Sequence, residues 1–558
     1  MPTLPVGRLS GRTLEALVTA VRRTPARGML ASVLRAELGI DALRRLPHEL
    51  RGPLPFSYTP VVARDPVRHP SAGRGAPKGE RVPRSVLDLG AAYRARKTTP
   101  ERVIARVLEA ARDLASRVPT LGPFCGYDDE RALEAARAST ERYARGAPLG
   151  PLDGIPVGVK EEIDLCGFPT RMGTGYSGIP PCGRDAPVVA RLREAGAIIV
   201  GHTPMTELGL SPLGVNPHRR MPKNPHDPTR LAGGSSTGSA VAVAVGLTPI
   251  SVGSDAGGSI RIPAAYTGVF GIKPTYGRIP LEGVGIASAA SMLHIGPLAA
   301  SSTDLALFLE AASGPDPRDA ASLQARPFEP GELHTALERG VAGMRIGVDV
   351  DEWASAPEDL CRPGREALAA LERAGARLVE VHSRLARYAG PIGYLTVGIE
   401  GYVALARIRE RHMDELGLDL QLVLSGLETF RPDDYVDAQR LRSALRRETA
   451  DILRGVDVIA LPAVGRSPLS VTRDESRSGF IDPAALDATC RFSFLANLTG
   501  LPAASVPVGQ DADGMPVALQ LVGDAWDEAA VLSVAAELER LGIAEPPRAP
   551  AAVDLLAD

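Results

Sequence analysis

The chain of 558 residues carries 63 basic and 66 acidic side chains, a formal charge of -3, with 44% hydrophobic and 4% aromatic residues. That balance argues against a nucleic-acid footprint, which needs a clustered basic surplus, and against long disordered tails. Only five of the basic residues are lysines (Lys78, Lys97, Lys160, Lys223 and Lys273) and the other 58 are arginines; of the two, only lysine readily becomes neutral when buried.

The length allows three or four domains, or one large α/β domain with an appendage. Cys125, Cys166, Cys182, Cys361 and Cys490 are widely spaced without a CxxC pair, so neither a disulfide framework nor a zinc knuckle is indicated. The nine histidines form no HExxH or HxxxH pair, so no metal site and no cofactor is expected. Residues 1–22 lack the apolar core of a signal peptide and no uncharged apolar run spans a bilayer, so the expected location is the cytoplasm.

In chain order, Leu14, Leu17, Val18 and Val21, then Met29, Leu30, Val33, Leu34 and Leu38, recur at helical spacing around Pro25 and Gly28 and predict two short helices. Residues 52–84 are rich in Pro, Gly and Arg and read as a linker or a strap over the main body. Residues 1–84 are therefore expected to form a helical appendage with its linker. Helical periodicity returns from Ser85 to Arg145, with Thr98-Thr99-Pro100-Glu101 as a helix start. From 151 to 280, the apolar runs Ile155–Val159, Ala197–Val200 and Pro249–Val252 alternate with a helical stretch, Ala186–Ala195, and with glycine-rich loops. This pattern predicts an α/β core. Residues 300–460 are rich in helix and arginine, and the runs Val456–Leu461, Ala503–Val508 and Val517–Val522 are expected to complete the same sheet.

Two glycine-serine clusters stand out in the core, Gly233–Ala240 (GGSSTGSA) and Gly253–Arg261 (GSDAGGSIR). Glycine lets backbone N–H groups approach a ligand closely, and serine supplies a nucleophilic or hydrogen-bonding hydroxyl. On spacing alone such a loop is as much a structural turn as a site. Gly234–Gly238 matches GxSxG, which would make Ser236 a nucleophile, but Asn224–Pro228 before it is a turn where a buried strand is needed. Gly173–Gly178 matches GxGxxG but runs into Ile179-Pro180-Pro181 where a dinucleotide fold needs a helix. Neither cluster carries the GK[ST] end of a phosphate loop.

The two clusters, together with Pro263-Ala264-Ala265 and Gly271–Arg278 (GIKPTYGR), resemble the amidase signature family. Upstream, Leu152–Glu161 (LDGIPVGVKE) is similar to the strand that carries the family's lysine; downstream, Ala496–Ala503 and Pro516–Gly523 match its last elements. The resemblance spans roughly residues 85–545 in order, and departs mildly at Thr237, where relatives often have Gly or Ser. It implies a single large domain, 85–548, with a central mixed β-sheet covered by helices and a variable, substrate-determining region at 300–460. It also implies a Ser-cisSer-Lys triad: Ser259 as nucleophile, Ser235 after a cis peptide as bridge, and Lys160 as base. Backbone N–H groups of Ala256, Gly257, Gly258 and Ser259 would form the oxyanion hole, Asp255 and Arg261 would brace the loop as an ion pair, and Lys273 would be structural.

Serine is a poor nucleophile until a base takes its proton. An ordinary lysine, with a pKa of about 10.4, is half neutral near pH 7 only at a cost of roughly 4.6 kcal/mol, which burial can impose. Lys160 ends an apolar run, although Glu161 and Glu162 beside it could hold its charge. The implied activity is hydrolysis of a carboxylic amide through an acyl-enzyme on Ser259. The alternatives are an ester or carbamate hydrolase with the same triad, a glutamine-hydrolysing amidotransferase subunit, or an inactive scaffold. Intact Lys160, Ser235 and Ser259 count against the scaffold, and Ile262, where the glutamine-hydrolysing relatives usually have Gln, counts against the amidotransferase. Glu207-Leu208-Gly209, Gly214–His218 and Asn224-Pro225 look most like plant-type fatty acid amide hydrolases, and Tyr394–Ile399 and Leu416–Leu427 are candidates to line an acyl pocket. The expected partner is a small-molecule amide with an apolar acyl or aryl group, with no nucleic acid and no membrane span, and a homodimer as one allowed assembly.

Overall fold

The computed structural model describes residues 7–23, 26–55, 58–64, 84–285, 291–329 and 331–557. Among them, eleven strands form one mixed sheet. One half runs Gly126–Tyr127, Ile198–Thr203, Pro156–Lys160, Ile250–Asp255, His294–Ala299 and Phe270–Lys273. The other continues with Ala503–Gln510, Pro516–Gly523, Val458–Pro462, Arg345–Asp349 and Arg377–Val381. All six predicted strand segments lie in this sheet. Helices cover it, so its central strands are buried along their length, and Pro156–Lys160 and Val458–Pro462 read in sequence as mainly apolar runs rather than alternating ones.

Strands Pro156–Lys160 and Ile250–Asp255 are parallel neighbours, with Val157 opposite Ile250 and Val159 opposite Val252. Their carboxyl ends, Lys160 and Asp255, therefore open on the same edge, the usual location of sites in such sheets. Between them in sequence, the helix Thr237–Ala244 is built from small and apolar residues and buried all round, as a helix with no polar face must be. Thr99 caps the helix Pro100–Ser116, accepting from Arg102 N–H at 3.2 Å, as its sequence predicts.

The region 300–460 is largely helical, but it also contributes the strands Arg345–Asp349 and Arg377–Val381 to one end of the sheet. Near the N-terminus, helix Gly11–Arg23 buries Leu14, Val18 and Val21 against Leu422 of helix Leu418–Leu427. Helix Ala26–Glu37 follows, and Ile40 and Leu43 of the next turn join the main core. Of the expected strap, residues 58–64 run over the main body: Tyr58 lies 4.7 Å below the Arg442 guanidinium, and Ala63 N–H donates to Asp524 Oδ1 at 3.0 Å. Its remainder at 65–83, with Lys78, lies outside the described residues.

Candidate active site

Three segments meet at the carboxyl edge of the sheet: the end of the Lys160 strand, the turn 233–236 before helix Thr237–Ala244, and the loop 255–260. Lys160 is 0% exposed. Its Nζ lies 2.7 Å from Ser235 Oγ, 2.8 Å from Ser254 Oγ and 2.9 Å from Glu162 Oε1. Ser254 Oγ in turn donates to the same Glu162 oxygen. Burial pulls the Lys160 pKa below the ordinary lysine value, and Glu162 pulls it up without restoring it.

Ser235 is 2% exposed, and the Gly234–Ser235 peptide is cis. Ser259 stands half-buried on the wall of a cavity. Its carbonyl accepts from Ser236 N–H at 3.2 Å, which ties the two glycine-serine loops together. Its hydroxyl makes no hydrogen bond within the described residues, so Lys160 and Ser235 are joined directly while Ser235 and Ser259 are not.

One expectation for the loop changes. Gly258 N–H donates to Asp255 Oδ1 at 2.7 Å, because the Asp255 side chain turns back over its own loop, where it also accepts from Ile260 N–H at 3.2 Å. Gly258 is therefore engaged inside the loop, while the N–H groups of Ala256, Gly257 and Ser259 have no acceptor among the described residues. Glycine is needed at 258, where φ is +119° and a Cβ would come within 2.6 Å of Ile262 Cδ1 and 2.7 Å of Ser493 Cβ.

Asp255 and Arg261 form the expected ion pair, fully buried and bidentate: Arg261 Nη2 to Asp255 Oδ1 at 2.9 Å, and Nε to Oδ2 at 3.0 Å. Burial alone would raise the Asp255 carboxyl, but Arg261, with Lys273 and Asn497, outweighs it and holds the group well below the usual carboxylate range. Arg261 also donates to Ser493 O at 2.8 Å and Asn497 Oδ1 at 2.6 Å, and Asn497 Nδ2 donates to Asp255 O at 3.0 Å. The loop is thus held from both sides by residues 493–497.

The other serines are engaged elsewhere. Ser236 Oγ donates to Ser254 O at 3.1 Å and accepts from Ser254 N–H at 3.3 Å; Ser239 Oγ donates to Val252 O at 2.9 Å. Both are buried away from the cavity wall, which removes the geometric basis for the GxSxG elbow. Gly173–Gly178 is a loop with no helix after it.

Lysine burial is not unique to Lys160. Lys273 is equally buried, its pKa pushed well down by burial and by Arg261, but it donates to Leu501 O at 2.5 Å and Pro274 O at 3.1 Å. Lys223, pulled to about 8 by burial, bonds Ser476 Oγ at 2.8 Å. Among the described lysines, only Lys160 bonds a serine of the two glycine-serine loops. In the sequence Ser254 reads only as a generic hydrogen-bonding serine and Glu162 as one of two candidate partners. The strand neighbourhood makes both of them Lys160 contacts, while Glu161 pairs with Arg219 at 2.7 Å.

The cavity measures about 210 Å³ and carries Ala256, Gly257 and Ser259 on its wall. The rest is mostly apolar: Tyr394 and Val397 from one helix, Leu420 and Leu424 from another, and Leu38 and Ile40 from the N-terminal region. Among the described residues no group of three or more His, Cys, Asp or Glu side chains is placed to hold a metal, and no helix is long and apolar enough to cross a membrane.

The sequence profile of the Amidase family matches residues 106–532. The chain is 33% identical over 464 residues to a fatty acid amide hydrolase of Arabidopsis thaliana, across 82% of this chain and 76% of that protein. It is 39% identical over 451 residues to a glutamyl-tRNA(Gln) amidotransferase subunit of Anaeromyxobacter sp. (strain K), across 75% of this chain and 89% of that protein. A crystal structure described as an amidase superposes with a TM-score of 0.70 at 32% identity, covering 82% of this chain and 99% of its own.

Proposed function

The chain belongs to the Amidase family, and we propose that it hydrolyses carboxylic amides bearing an apolar acyl group, with Ser259 as nucleophile, Ser235 as proton relay and Lys160 as base. The observation that carries this reading is the set of partners around Lys160 Nζ. A neutral amine has two N–H donors and one lone pair. With Lys160 neutral, Glu162 Oε1 and Ser254 Oγ would accept its two donors and its lone pair would face Ser235 Oγ, 2.7 Å from Nζ.

In the reaction, the Ser259 hydroxyl gives its proton to Ser235 as Ser235 gives its own to Lys160, and Ser259 Oγ attacks the amide carbonyl. The relay needs the Ser259 hydroxyl to turn to Ser235, a bond of the kind that often tightens only with substrate. The N–H groups of Ala256, Gly257 and Ser259 hold the oxyanion, and each such donor is worth about 10² to 10³ in rate. Collapse returns the proton through Ser235 to the departing amine, and water enters by the same relay to release the acid. In this reading 85–548 is the catalytic unit, 300–460 sets the substrate, and the N-terminal helices close one wall of the cavity.

Apolar walls favour an acyl chain, in keeping with the similarity to fatty acid amide hydrolases. Glutamine hydrolysis fits less well, because no lysine, arginine or histidine among the described residues lines the cavity to meet glutamine's α-carboxylate, and a buried charge needs a partner. Turnover of matched long-chain amide, ester and carbamate substrates, with glutamine alongside, tests the assignment. Hydrolysis of the amide, lost in Ser259→Ala, is the expected result; hydrolysis of glutamine alone would refute it. A fluorophosphonate should attach to Ser259, and attachment to Ser236 would restore the elbow.

A further inference from the structure

The peptide between Gly257 and Gly258 sits in the middle of the loop that carries Ser259. The unengaged N–H groups of Gly257 and Ser259 flank it in sequence, so its tilt sets how those two donors converge. Glycine on both sides leaves that tilt free. Side-chain bulk cannot replace the glycines, because a Cβ at Gly257 would stand 2.6 Å from Phe494 Cε1 and one at Gly258 2.7 Å from Ser493 Cβ.

Hydrogen bonds hold the peptide by both edges. Gly258 N–H donates to Asp255 Oδ1 at 2.7 Å, and Gly257 O accepts from Ser493 Oγ at 2.5 Å. The next two carbonyls are served by backbone, Gly258 O by Ile262 N–H at 2.7 Å and Ser259 O by Ser236 N–H at 3.2 Å, whereas Gly257 O has no donor besides Ser493 among the described residues. A hydroxyl has one proton to give. Cys490 O, 3.0 Å from the same Oγ, already accepts from Ser493 N–H at 3.0 Å, which leaves that proton for Gly257 O. The two tethers belong to one brace: Asp255 holds the N–H edge, and its partner Arg261 donates to the carbonyl of Ser493 at 2.8 Å.

We infer that Ser493 is a positioning residue for the oxyanion hole, its hydroxyl fixing the Gly257–Gly258 peptide at the tilt that presents Gly257 N–H and Ser259 N–H to the alkoxide. Such donors stabilise the tetrahedral state more than the planar substrate, so the hydroxyl acts on turnover and not on substrate binding. The inference rests on Ser259 being the nucleophile, as read above.

The test compares the wild-type protein with Ser493→Ala and Ser493→Cys, in turnover of N-(4-nitrophenyl)decanamide and in calorimetric binding of 1,1,1-trifluorododecan-2-one and of dodecan-2-one. The fluorinated ketone takes Ser259 Oγ onto its carbonyl carbon; the Ser259 proton passes through Ser235 to Lys160, and the π pair becomes an alkoxide in the hole. The plain ketone offers the same chain without forming that adduct. Ser493→Ala is expected to lose about 10- to 100-fold both in kcat and in affinity for the fluorinated ketone, a part of what one whole donor is worth. KM and the affinity for dodecan-2-one are expected to stay within about twofold. Ser493→Cys fills the space with a weak donor and is expected to follow Ser493→Ala; it also serves should the alanine variant not fold. Unchanged kcat and adduct affinity in a folded variant, an equal loss for both ketones, or wild-type kcat in Ser493→Cys overturns the inference. Ser259→Ala separates it from the reading beneath it. Adduct affinity lost in Ser259→Ala but untouched in Ser493→Ala removes this inference alone, whereas preference for the fluorinated ketone surviving Ser259→Ala removes the Ser259 reading.

Discussion

Ser254 Oγ stands 2.8 Å from Lys160 Nζ and donates to the Glu162 carboxylate that Lys160 also meets. In the proposed mechanism it accepts one N–H of the neutral lysine and so aims the lone pair at Ser235. Ser254→Ala is expected to lower kcat/KM for an amide by about tenfold, in line with about 1.4 kcal/mol of lost positioning. Steady-state kinetics decides this, and an unchanged kcat/KM would show that Ser254 does not orient the base.

Glu162 pulls the Lys160 pKa up while burial pulls it further down. In the proposed mechanism the neutral amine is the working form, so kcat/KM should rise with pH through the Lys160 pKa and level off below the ordinary lysine range of about 10.4. Glu162→Gln removes the opposing carboxylate, and the rising limb should then move to lower pH. Log kcat/KM against pH for the two proteins measures it; a limb displaced upward would contradict the assignment.

Ser235 and Ser236 are adjacent, both buried, and engaged in opposite directions: Ser235 toward Lys160, Ser236 toward the backbone of Ser254. Ser235→Ala is expected to cost at least 10³ in kcat/KM, and Ser236→Ala no more than about tenfold, the loss of one neutral hydrogen-bonding group being worth about 1 kcal/mol. Equal losses in the two variants would break the relay assignment.

Arg261 meets Asp255 in the dry interior. Arg261→Met leaves that carboxylate unpaired, which typically costs about 3–5 kcal/mol. The urea midpoint should fall accordingly at neutral pH. The Asp255 carboxyl is depressed in the folded protein, so its contribution is present above the unfolded carboxylate pKa of about 3.9 and is lost only as pH falls through the lower folded value. The wild-type and variant midpoints should therefore stay apart from pH 5 to pH 8, and coincident midpoints in that range would disprove the brace.

The sequence carries much of this. The runs that resemble the amidase signature point to Lys160, Ser235, Ser259 and the Asp255–Arg261 pair, whereas spacing alone leaves the glycine-serine loops open between turn and site. Six strands are legible as apolar runs because both of their faces are covered, whereas His294–Ala299, equally buried in the middle of the sheet, escaped because His294, Gly296 and Pro297 interrupt its apolar run. Arg345–Asp349 and Arg377–Val381 escaped because their runs are short and partly exposed at the sheet's end, and Phe270–Lys273 because four residues give no period. The Lys160 contacts to Ser254 and Glu162 depend on strand neighbourhood, which a single chain does not display. The engagement of Gly258 N–H by Asp255 Oδ1 depends on a side-chain rotamer. Burial does not separate the two buried lysines, since Lys273 is as dry as Lys160; the resemblance gives them different roles, and in the structure their partners differ.

Lysine is scarce in a chain with 58 arginines, and the account requires that the residue at 160 lose its proton, which arginine effectively never does. The direct measurement is kcat/KM of Lys160→Arg on a long-chain amide, with folding verified by circular dichroism. Turnover below about 10⁻³ of the wild-type value is expected, from loss of the general base together with its relay. Near wild-type turnover in a folded Lys160→Arg protein would contradict the neutral-lysine mechanism.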